Sequence, residues 1–186
     1  MAMKSSFKNM TLCLLVICLV CSALLAVIYA VTEEPIKEAE RTKEEAALKE
    51  VLPEDAVEFD EKKEVSVDGK TYSYVIAYDG KDKKNVAGYA VDVAPMGFGG
   101  PIKIKVGFDA DGTIWNTKVL SQSETPGLGA KCTEPAFADQ FKKFNPNEKS
   151  LKVGGDIDAI TASTITSKAY VSGIEEAVKV FNKIKK

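Results

Sequence analysis

The segment IKIKVGFDADGTIWNTKVLS, residues 102–121, carries the strongest indication of the fold class. Apolar side chains alternate with lysine or glycine from Ile102 to Phe108, which is the period of a strand that turns one face toward a core. The four residues Asp109-Ala110-Asp111-Gly112 favour a turn, and a second strand-like run follows over Thr113–Ser121. The segment therefore predicts an antiparallel hairpin.

Further strands and helices on both sides of this hairpin complete the expected domain. An Asp68-Gly69 turn precedes the alternating run Tyr72–Ala77, and Val86–Val93 is another strand-like run. Downstream, the apolar spacing predicts a short amphipathic helix over Glu134–Phe144 and a long one over Ser163–Ile184. Strands in succession followed by helices are typical of an α+β domain, in which helices pack on an antiparallel sheet.

The N-terminal part of the chain has the composition of a membrane helix. Met10–Val31 contains 22 consecutive residues without a charge, which as a helix would span about 33 Å against a hydrocarbon core of roughly 30 Å. Lys4 and Lys8 precede this run and acidic residues follow it, which predicts that the N-terminus lies in the cytoplasm. A cleaved signal peptide is the alternative, but its apolar region is normally shorter, and Ile28 is not a small residue as a cleavage site requires.

An uncleaved single-pass anchor is therefore the preferred interpretation, and it divides the chain into four parts. Residues 1–9 form a short cytoplasmic N-terminus, 10–31 the transmembrane anchor, 32–55 a linker helix and 56–186 an extracytoplasmic domain. Within the linker, Glu33–Leu52 has helical composition and Pro53 ends it. Its apolar residues leave two alternatives open, a solvated stalk or a helix whose C-terminal end docks on the domain.

Composition excludes several functional classes. The chain of 186 residues has 25 Lys and Arg against 27 Asp and Glu, so it has no basic field and nucleic acid is not an expected partner. Histidine is absent, which excludes histidine bases, Cys-His or Ser-His-Asp nucleophiles and histidine metal sites. Three of the four cysteines lie in the apolar segment, and Cys132 by itself makes neither an internal disulfide nor a cysteine zinc site.

Two segments of the predicted domain have more polar and glycine residues than packing requires. Ser121–Lys131, with sequence SQSETPGLGAK, combines two glycines and a proline around one leucine, and Gly97-Phe98-Gly99-Gly100 is a companion cluster. Glycines let a backbone approach a ligand closely. An ordinary connection between a strand and a helix is the alternative interpretation of either segment.

The second segment, Asp158–Ser167, lies at the start of the long predicted helix. Its sequence DAITASTITS has five hydroxyl residues from position 161 to 167, whereas one Ser or Thr is enough to cap a helix. The N–H groups and the positive dipole end of a helix N-terminus favour a phosphate. A helix cap in a Ser/Thr-rich turn remains the alternative. Together the two segments indicate an anion site beside a glycine-lined cleft.

At this point the chain resembles a known family, the FMN-binding G subunits of Rnf-type ion-translocating ferredoxin:NAD oxidoreductase complexes. The resemblance runs along essentially the whole chain and is most specific in GFGGPIKIKVGFDADGTI (97–114), VLSQSETPGLGAK (119–131) and DAITASTITSKA (158–169). It implies an α+β FMN-binding domain behind a membrane anchor in the inner membrane, acting as an electron carrier within the complex and not as a stand-alone enzyme. The implied partners are the other subunits of the complex.

In this family a flavin transferase joins the FMN phosphate to a threonine through a phosphoester bond, and the matching residue here is Thr164. The motif residues Thr161, Ala162, Ser163 and Thr166 are also implied cofactor-binding residues. The family usually has Gly where this chain has Ala162, and Ala where it has Ser163; the nearest competing hydroxyls are Thr161 and Thr166. The resemblance also implies that the 121–131 loop lies against the flavin ring. On that loop the implied cofactor-binding residues are Glu124, Thr125, Gly127, Leu128, Gly129 and Lys131.

Three other functions remain open from the sequence. The C subunit of the Na⁺-translocating NADH:quinone reductase shares both motifs, although it is usually longer. A surface flavoprotein that passes electrons to extracellular acceptors would keep the flavin but change the electron path. A membrane-anchored structural module without flavin is supported only by the departures at Ala162 and Ser163. No catalytic residue and no metal ligand is assigned.

Overall fold

A computed structural model describes residues 7–80 and 85–185 of the chain. Of the predicted cytoplasmic N-terminus, residues 1–6 therefore lie outside the described residues. The chain divides into two units, Met1–Lys43 and Glu44–Lys186. The second unit contains the whole sheet, the remaining helices and the C-terminal end of the first helix.

Helix α1 runs over Phe7–Val51 and contains the predicted anchor and most of the predicted linker helix. By length and composition it is the one helix of the described residues that could cross a membrane. Most large apolar side chains of Met10–Val31 are exposed, as a lipid-facing segment requires. The helix ends at Val51, one residue before the predicted helix end at Leu52, because Pro53 disfavours helical backbone in the residue before it.

Six antiparallel strands form one sheet in the second unit. They are β1 (Glu58–Phe59), β2 (Lys63–Val67), β3 (Lys70–Tyr78), β4 (Val86–Val93), β5 (Lys103–Asp109) and β6 (Ile114–Ser121). The strand order is β1-β3-β4-β5-β6, and β2 pairs with β3 beside β1. The α+β class and the antiparallel sheet predicted from the sequence are confirmed, and the ends of β3 to β6 lie within two residues of their predicted positions, whereas β1 and β2 had no predicted bounds.

The two predicted turns have the local chemistry that hairpins need. Asp68 and Gly69 join β2 to β3 with φ of 51° and 79°, and two successive positive φ angles are the signature of a type I′ hairpin turn. Between β5 and β6, the Asp109 carboxylate accepts the backbone N–H groups of Asp111, Gly112 and Thr113 at 2.8–3.0 Å. This side-chain acceptor satisfies the turn's own donors.

The segment between the sheet and the last helix differs from its prediction. A single helix was expected over Glu134–Phe144, but the structure has a 3₁₀ turn at Gly129–Thr133, helix α2 over Pro135–Ala138 and a second 3₁₀ turn at Asp139–Phe141. The helical prediction is wrong beyond Ala138 because the chain turns back to the sheet. Phe144 exchanges both backbone hydrogen bonds with Ile114, at 3.1 and 2.9 Å, and this pairing replaces further helical bonds.

Helix α3, Thr164–Ile184, confirms the long helix predicted at the C-terminus and covers one face of the sheet. The main core lies between them and includes Tyr170, Ile174 and Phe181 from the helix. A smaller cluster on the sheet contains Val51 and Leu52 from the end of α1 and its continuation. Of the two alternatives for this part of the chain, the docked end is therefore the one observed.

Candidate functional site

Two loops and one helix end meet at a cavity of about 400 Å³. The first loop joins β4 to β5 over residues 94–102, and the second follows β6 over residues 122–128. Helix α3 contributes its N-terminus. The residues lining the cavity are Phe98, Glu124, Thr125, Leu128, Gly129, Ala162, Ser163, Thr164, Ile165 and Thr166.

Glu124 is the buried carboxylate of this cavity, with 6% of its surface exposed. Its Oε1 atom accepts the backbone N–H of Gly99 at 2.9 Å, and its Oε2 atom accepts the hydroxyl of Thr166 at 2.6 Å. Its own backbone N–H donates to Oε1 of Gln122 at 2.5 Å. The side chain therefore links the second loop to the first loop and to α3.

The N-terminus of α3 presents hydroxyl and backbone N–H groups at the cavity. Ser163 occupies the N-cap position but makes no side-chain capping hydrogen bond, so its hydroxyl does not satisfy the N–H groups of the first turn. Thr164, the first residue of the helix, is exposed. Ser167 instead bonds backward, accepting the Ile160 N–H and donating to the Ser163 carbonyl, each at 2.9 Å. These bonds shape the turn that enters the helix.

Ala162 has a positive φ of 61° immediately before this helix start. Left-handed backbone is unfavourable for residues with a Cβ, by roughly 1 kcal/mol for a single residue. This geometry gives a conformational reason for glycine at a position where the chain has alanine. This preference for glycine arises from the backbone conformation, and it cannot be inferred from the small size of the alanine side chain.

Three large apolar side chains on the cavity lining are exposed to solvent. Phe98 is 71% exposed, Ile165 58% and Leu128 43%. Each comes from a different segment, namely the 94–102 loop, the first turn of α3 and the 122–128 loop. Exposed apolar groups that converge on a cavity with a few polar groups are typical of a small-molecule or cofactor site.

The structure brings together most of the residues singled out from the sequence. Glu124, Thr125, Leu128, Gly129, Ala162, Ser163, Thr164 and Thr166 line the cavity, whereas Gly127, Lys131 and Thr161 are exposed and lie outside the lining of the described structure. Phe98 and Ile165 were not among the expected site residues. Phe98 lies in the glycine cluster noted in the sequence, but an aromatic residue between glycines does not by itself indicate a ligand contact.

A larger cavity, of about 590 Å³, has a different chemical character. It lies over the sheet, and its mixed lining includes charged residues, among them Lys62, Lys70 and Asp92, which form ion pairs. Lys62 contacts Asp92 at 3.0 Å, and Lys70 contacts Glu176 at 2.7 Å. The smaller cavity, with three exposed apolar side chains, is therefore the stronger candidate for a ligand with apolar surface.

The second unit contains one cysteine, Cys132. Cys132 is fully buried, and burial raises the pKa of its thiol to about 11, so it is protonated at neutral pH. The described residues contain no group of three or more His, Cys, Asp or Glu side chains placed to hold a metal ion.

Sequence comparison with known proteins shows the family to which the chain belongs. The G subunit of the ion-translocating oxidoreductase complex of Methanosarcina acetivorans is 38% identical over 89% of this chain and 89% of its own length. The chain belongs to the G-subunit family of ion-translocating oxidoreductase complexes. A second member is the G subunit of the Na⁺-translocating ferredoxin:NAD⁺ oxidoreductase complex of Acetobacterium woodii, 35% identical over 98% of this chain and 95% of its own length.

Within the family, two parts of the chain match described regions. Residues 97–179 match the FMN-binding domain, and residues 1–51 match the RnfG N-terminal region. The first of these ranges contains the complete cavity lining. The C subunit of the Na⁺-translocating NADH-quinone reductase of Parabacteroides distasonis has the same fold, with a TM-score of 0.52 at 23% identity over 77% of this chain and 83% of that one.

Proposed function

We propose that this protein is the electron-transfer G subunit of a membrane-bound Rnf-type complex and carries FMN on Thr164 through a phosphoester bond. The observation that carries the proposal is the position of Thr164. Thr164 is exposed, is the first residue of helix α3 and lines the cavity. It also lies inside the range that matches the FMN-binding domain. FMN, when bound, supplies reversible electron transfer.

The groups of the cavity fit the two chemically different ends of FMN. The uncapped first turn of α3 offers N–H donors and the positive end of a helix dipole to a phosphate. Phe98, Leu128 and Ile165 offer exposed apolar surface to a flat ring system. Burial of that surface would contribute to binding at roughly 25 cal/mol per Å².

Thr164 supplies the oxygen of the proposed bond. The bond between its Oγ1 atom and phosphorus forms while the phosphoanhydride bond of a flavin dinucleotide donor breaks; the nucleoside monophosphate on the other side of that bond leaves, and the hydroxyl proton passes to a base of the transferase. That enzyme would bring the donor and the catalytic groups, since the cavity holds no histidine and its one carboxylate, Glu124, is occupied by two hydrogen bonds. The exposure of Thr164 allows the transferase access.

The long apolar helix supports a membrane-anchored arrangement. The charges around Met10–Val31 favour a cytoplasmic N-terminus, which would place the FMN-binding domain on the extracytoplasmic side of the inner membrane. Covalent attachment is useful there because a dissociated cofactor would be lost. The other subunits of the complex would supply the electron path and the ion channel, since a single span without a charge offers no ion pathway.

The test is flavin fluorescence that survives denaturation. The full chain is expressed with a flavin transferase and separated on a denaturing gel, beside Thr164→Val and the control Ser172→Ala, which removes an exposed hydroxyl farther along α3. We expect a fluorescent band in the wild type and the control and a dark band in Thr164→Val. Peptide mass spectrometry then identifies the modified residue.

Other outcomes separate the alternatives. A dark wild-type band, with FMN and transferase present, contradicts covalent attachment and supports a structural module without flavin. Fluorescence that persists in Thr164→Val moves the bond to Thr166 or Thr161. Co-purification with the other components of an NADH:quinone reductase would instead favour the C-subunit alternative, and purification without other membrane proteins would favour a surface flavoprotein.

A further inference from the structure

The Glu124 carboxylate holds both walls of the candidate cavity at once. Through Oε1 it binds the Gly99 N–H of the wall that carries Phe98, and through Oε2 it binds the Thr166 hydroxyl of the wall that carries Thr164. Gly99 and Thr166 are far apart in sequence, and Glu124 is the side chain that connects them. Hydrogen bonds to a charged acceptor are the stronger kind, which makes this link a firm one.

The glycines around Glu124 leave space for this carboxylate. A Cβ atom at Gly97 would lie 2.3 Å from Oε1, and one at Gly129 would lie 2.3 Å from Oε2 and 2.7 Å from the Thr166 hydroxyl oxygen. Neither glycine has a positive φ, so conformational freedom does not explain them. Their lack of a side chain is needed because any Cβ would displace the carboxylate or its hydrogen-bond partner.

Within residues 7–80 and 85–185, no lysine or arginine forms an ion pair with the Glu124 carboxylate. Both of its hydrogen-bond donors, a backbone N–H and a hydroxyl, are neutral. Burying a carboxylate without a cation costs free energy that apolar residues of the same volume would not cost. Its charge therefore acts on the cavity interior without an ion-pair partner, opposed by the positive end of the α3 helix dipole.

We propose that Glu124 is the positioning residue of this site, which sets the position of the α3 N-terminus through Thr166 and lowers the reduction potential of the bound flavin through its charge. Reduction adds negative charge to the ring, and a nearby buried carboxylate disfavours that charge. The positioning role stands on the protein alone, whereas the effect on potential rests on the proposed function.

The positioning role is tested on the detergent-solubilised full chain without flavin. Thr166→Val removes the hydroxyl, Thr166→Ser keeps it, and Ser172→Ala is the control on the same helix. Amide hydrogen exchange is followed by mass spectrometry in the peptide that contains Gly99. We expect exchange of the Gly99 amide to accelerate by about tenfold in Thr166→Val, because the Glu124 carboxylate loses one of its two anchors. Thr166→Ser and Ser172→Ala are expected to exchange at the wild-type rate.

Exchange at Gly99 is informative because the substitution lies on the opposite wall. A purely local defect in α3 would accelerate exchange in residues 160–167 and leave Gly99 unchanged, which would overturn the positioning role. Failure of Thr166→Ser to restore the wild-type rate would overturn it as well, because this variant keeps the donor that the proposal requires.

The effect on potential is tested with Glu124→Gln in flavin-loaded protein. The glutamine amide can accept the Gly99 N–H and pair with the Thr166 hydroxyl, so the variant removes mainly the charge. At a fixed applied potential we expect the ratio of oxidised to reduced flavin to fall about tenfold, equivalent to a potential higher by about 30 mV for a two-electron couple. Glu175→Gln, an exposed carboxylate on α3, is the control and should leave the potential unchanged.

Failure of this inference and failure of the proposed function give different results. An unchanged potential in Glu124→Gln overturns the inference while the proposed function stands. A wild-type protein that takes up no flavin contradicts the proposed function, and the exchange measurement still decides whether Glu124 positions the two walls.

Discussion

The two faces of strand β5 are packed in opposite ways, although the residues that define them are neighbours in sequence. Phe108 faces helix α3 and stacks on Phe181, with ring centroids 4.9 Å apart. Gly107, one residue earlier, faces the end of α1, where a Cβ atom would lie 1.8 Å from the Val51 carbonyl oxygen. One face is filled by large side chains, and the other is close to a neighbouring backbone.

The face toward the end of α1 also holds buried charge. Lys105 is 1% exposed and contacts the Asp92 carboxylate, which also pairs with Lys62 at 3.0 Å. Gly88 also lacks room for a side chain, since its Cβ would lie 2.3 Å from the Phe108 carbonyl oxygen of β5 and 3.1 Å from the Leu52 side chain. The α3 face should therefore be sensitive to lost volume, and the other face to added volume or to an unpaired charge.

The largest effect is expected on the α3 face. Phe108→Ala removes a fully buried ring from the main core and should lower the free energy of unfolding by about 4 kcal/mol. Urea unfolding of the detergent-solubilised full chain, followed by the fluorescence of Trp115, the single tryptophan, measures this loss. A loss below about 1 kcal/mol would mean that the α3 face is not the main source of stability.

Gly107→Ala is the matched test on the other face. The added methyl group cannot fit without a shift of the Val51 backbone, so we expect a loss of about 3 kcal/mol in the same assay. Gly80→Ala, where an added Cβ meets nothing within 4 Å, is the control and should change the stability by less than about 0.5 kcal/mol. Equal effects of the two substitutions would contradict the close approach.

Lys105→Met should have a smaller effect, a loss of about 2 kcal/mol. The substitution leaves the Asp92 carboxylate without its buried partner, but Asp92 keeps Lys62 and remains 18% exposed at its side chain. Lys179→Met breaks an ion pair whose partners are both exposed, and should cost less than about 0.5 kcal/mol. Equal losses in the free energy of unfolding for the two variants would mean that burial of the Lys105–Asp92 pair does not increase its contribution to stability.

The smallest expected effect is a gain in the free energy of unfolding. It distinguishes a glycine that is needed for space from one that is favoured by backbone conformation. Ala162→Gly relieves a φ of 61° without removing a large contact, and should stabilise the protein by about 0.5 kcal/mol. Gly107→Ala tests space, whereas Ala162→Gly tests backbone conformation. Destabilisation by Ala162→Gly in the unfolding assay would show that the alanine methyl group contributes more than the strain costs.

The parts of the fold that follow local rules could be predicted. The alternation over Ile102–Phe108 and the turn residues Asp68-Gly69 and Asp109–Gly112 lead to the observed hairpins because these patterns act within a few residues. The helix predicted over Glu134–Phe144 was wrong beyond Ala138 because Phe144 pairs with Ile114, a contact between distant positions that local periodicity does not contain.

The candidate site shows the same limit. The hydroxyl-rich segment around Thr164 and the 121–131 loop were identifiable because their residue types exceed what caps and turns need. The inclusion of Phe98 and Ile165 in the cavity was not predictable, since each side chain joins it only through the meeting of three segments. The glycines at 97 and 129 were recognised as unusual, but their contact with Glu124 was not.

By itself the sequence determined the apolar N-terminal helix, the antiparallel α+β class and the two motifs of the site, because period, charge and turn chemistry act along the chain. The tertiary structure decided which face of β5 packs aromatic rings and which packs glycine against a neighbouring backbone. It also decided that Lys105 pairs with Asp92 and that Glu124 connects two walls of one cavity. These features depend on distances between residues far apart in sequence, which only the packing of strands, loops and helices sets.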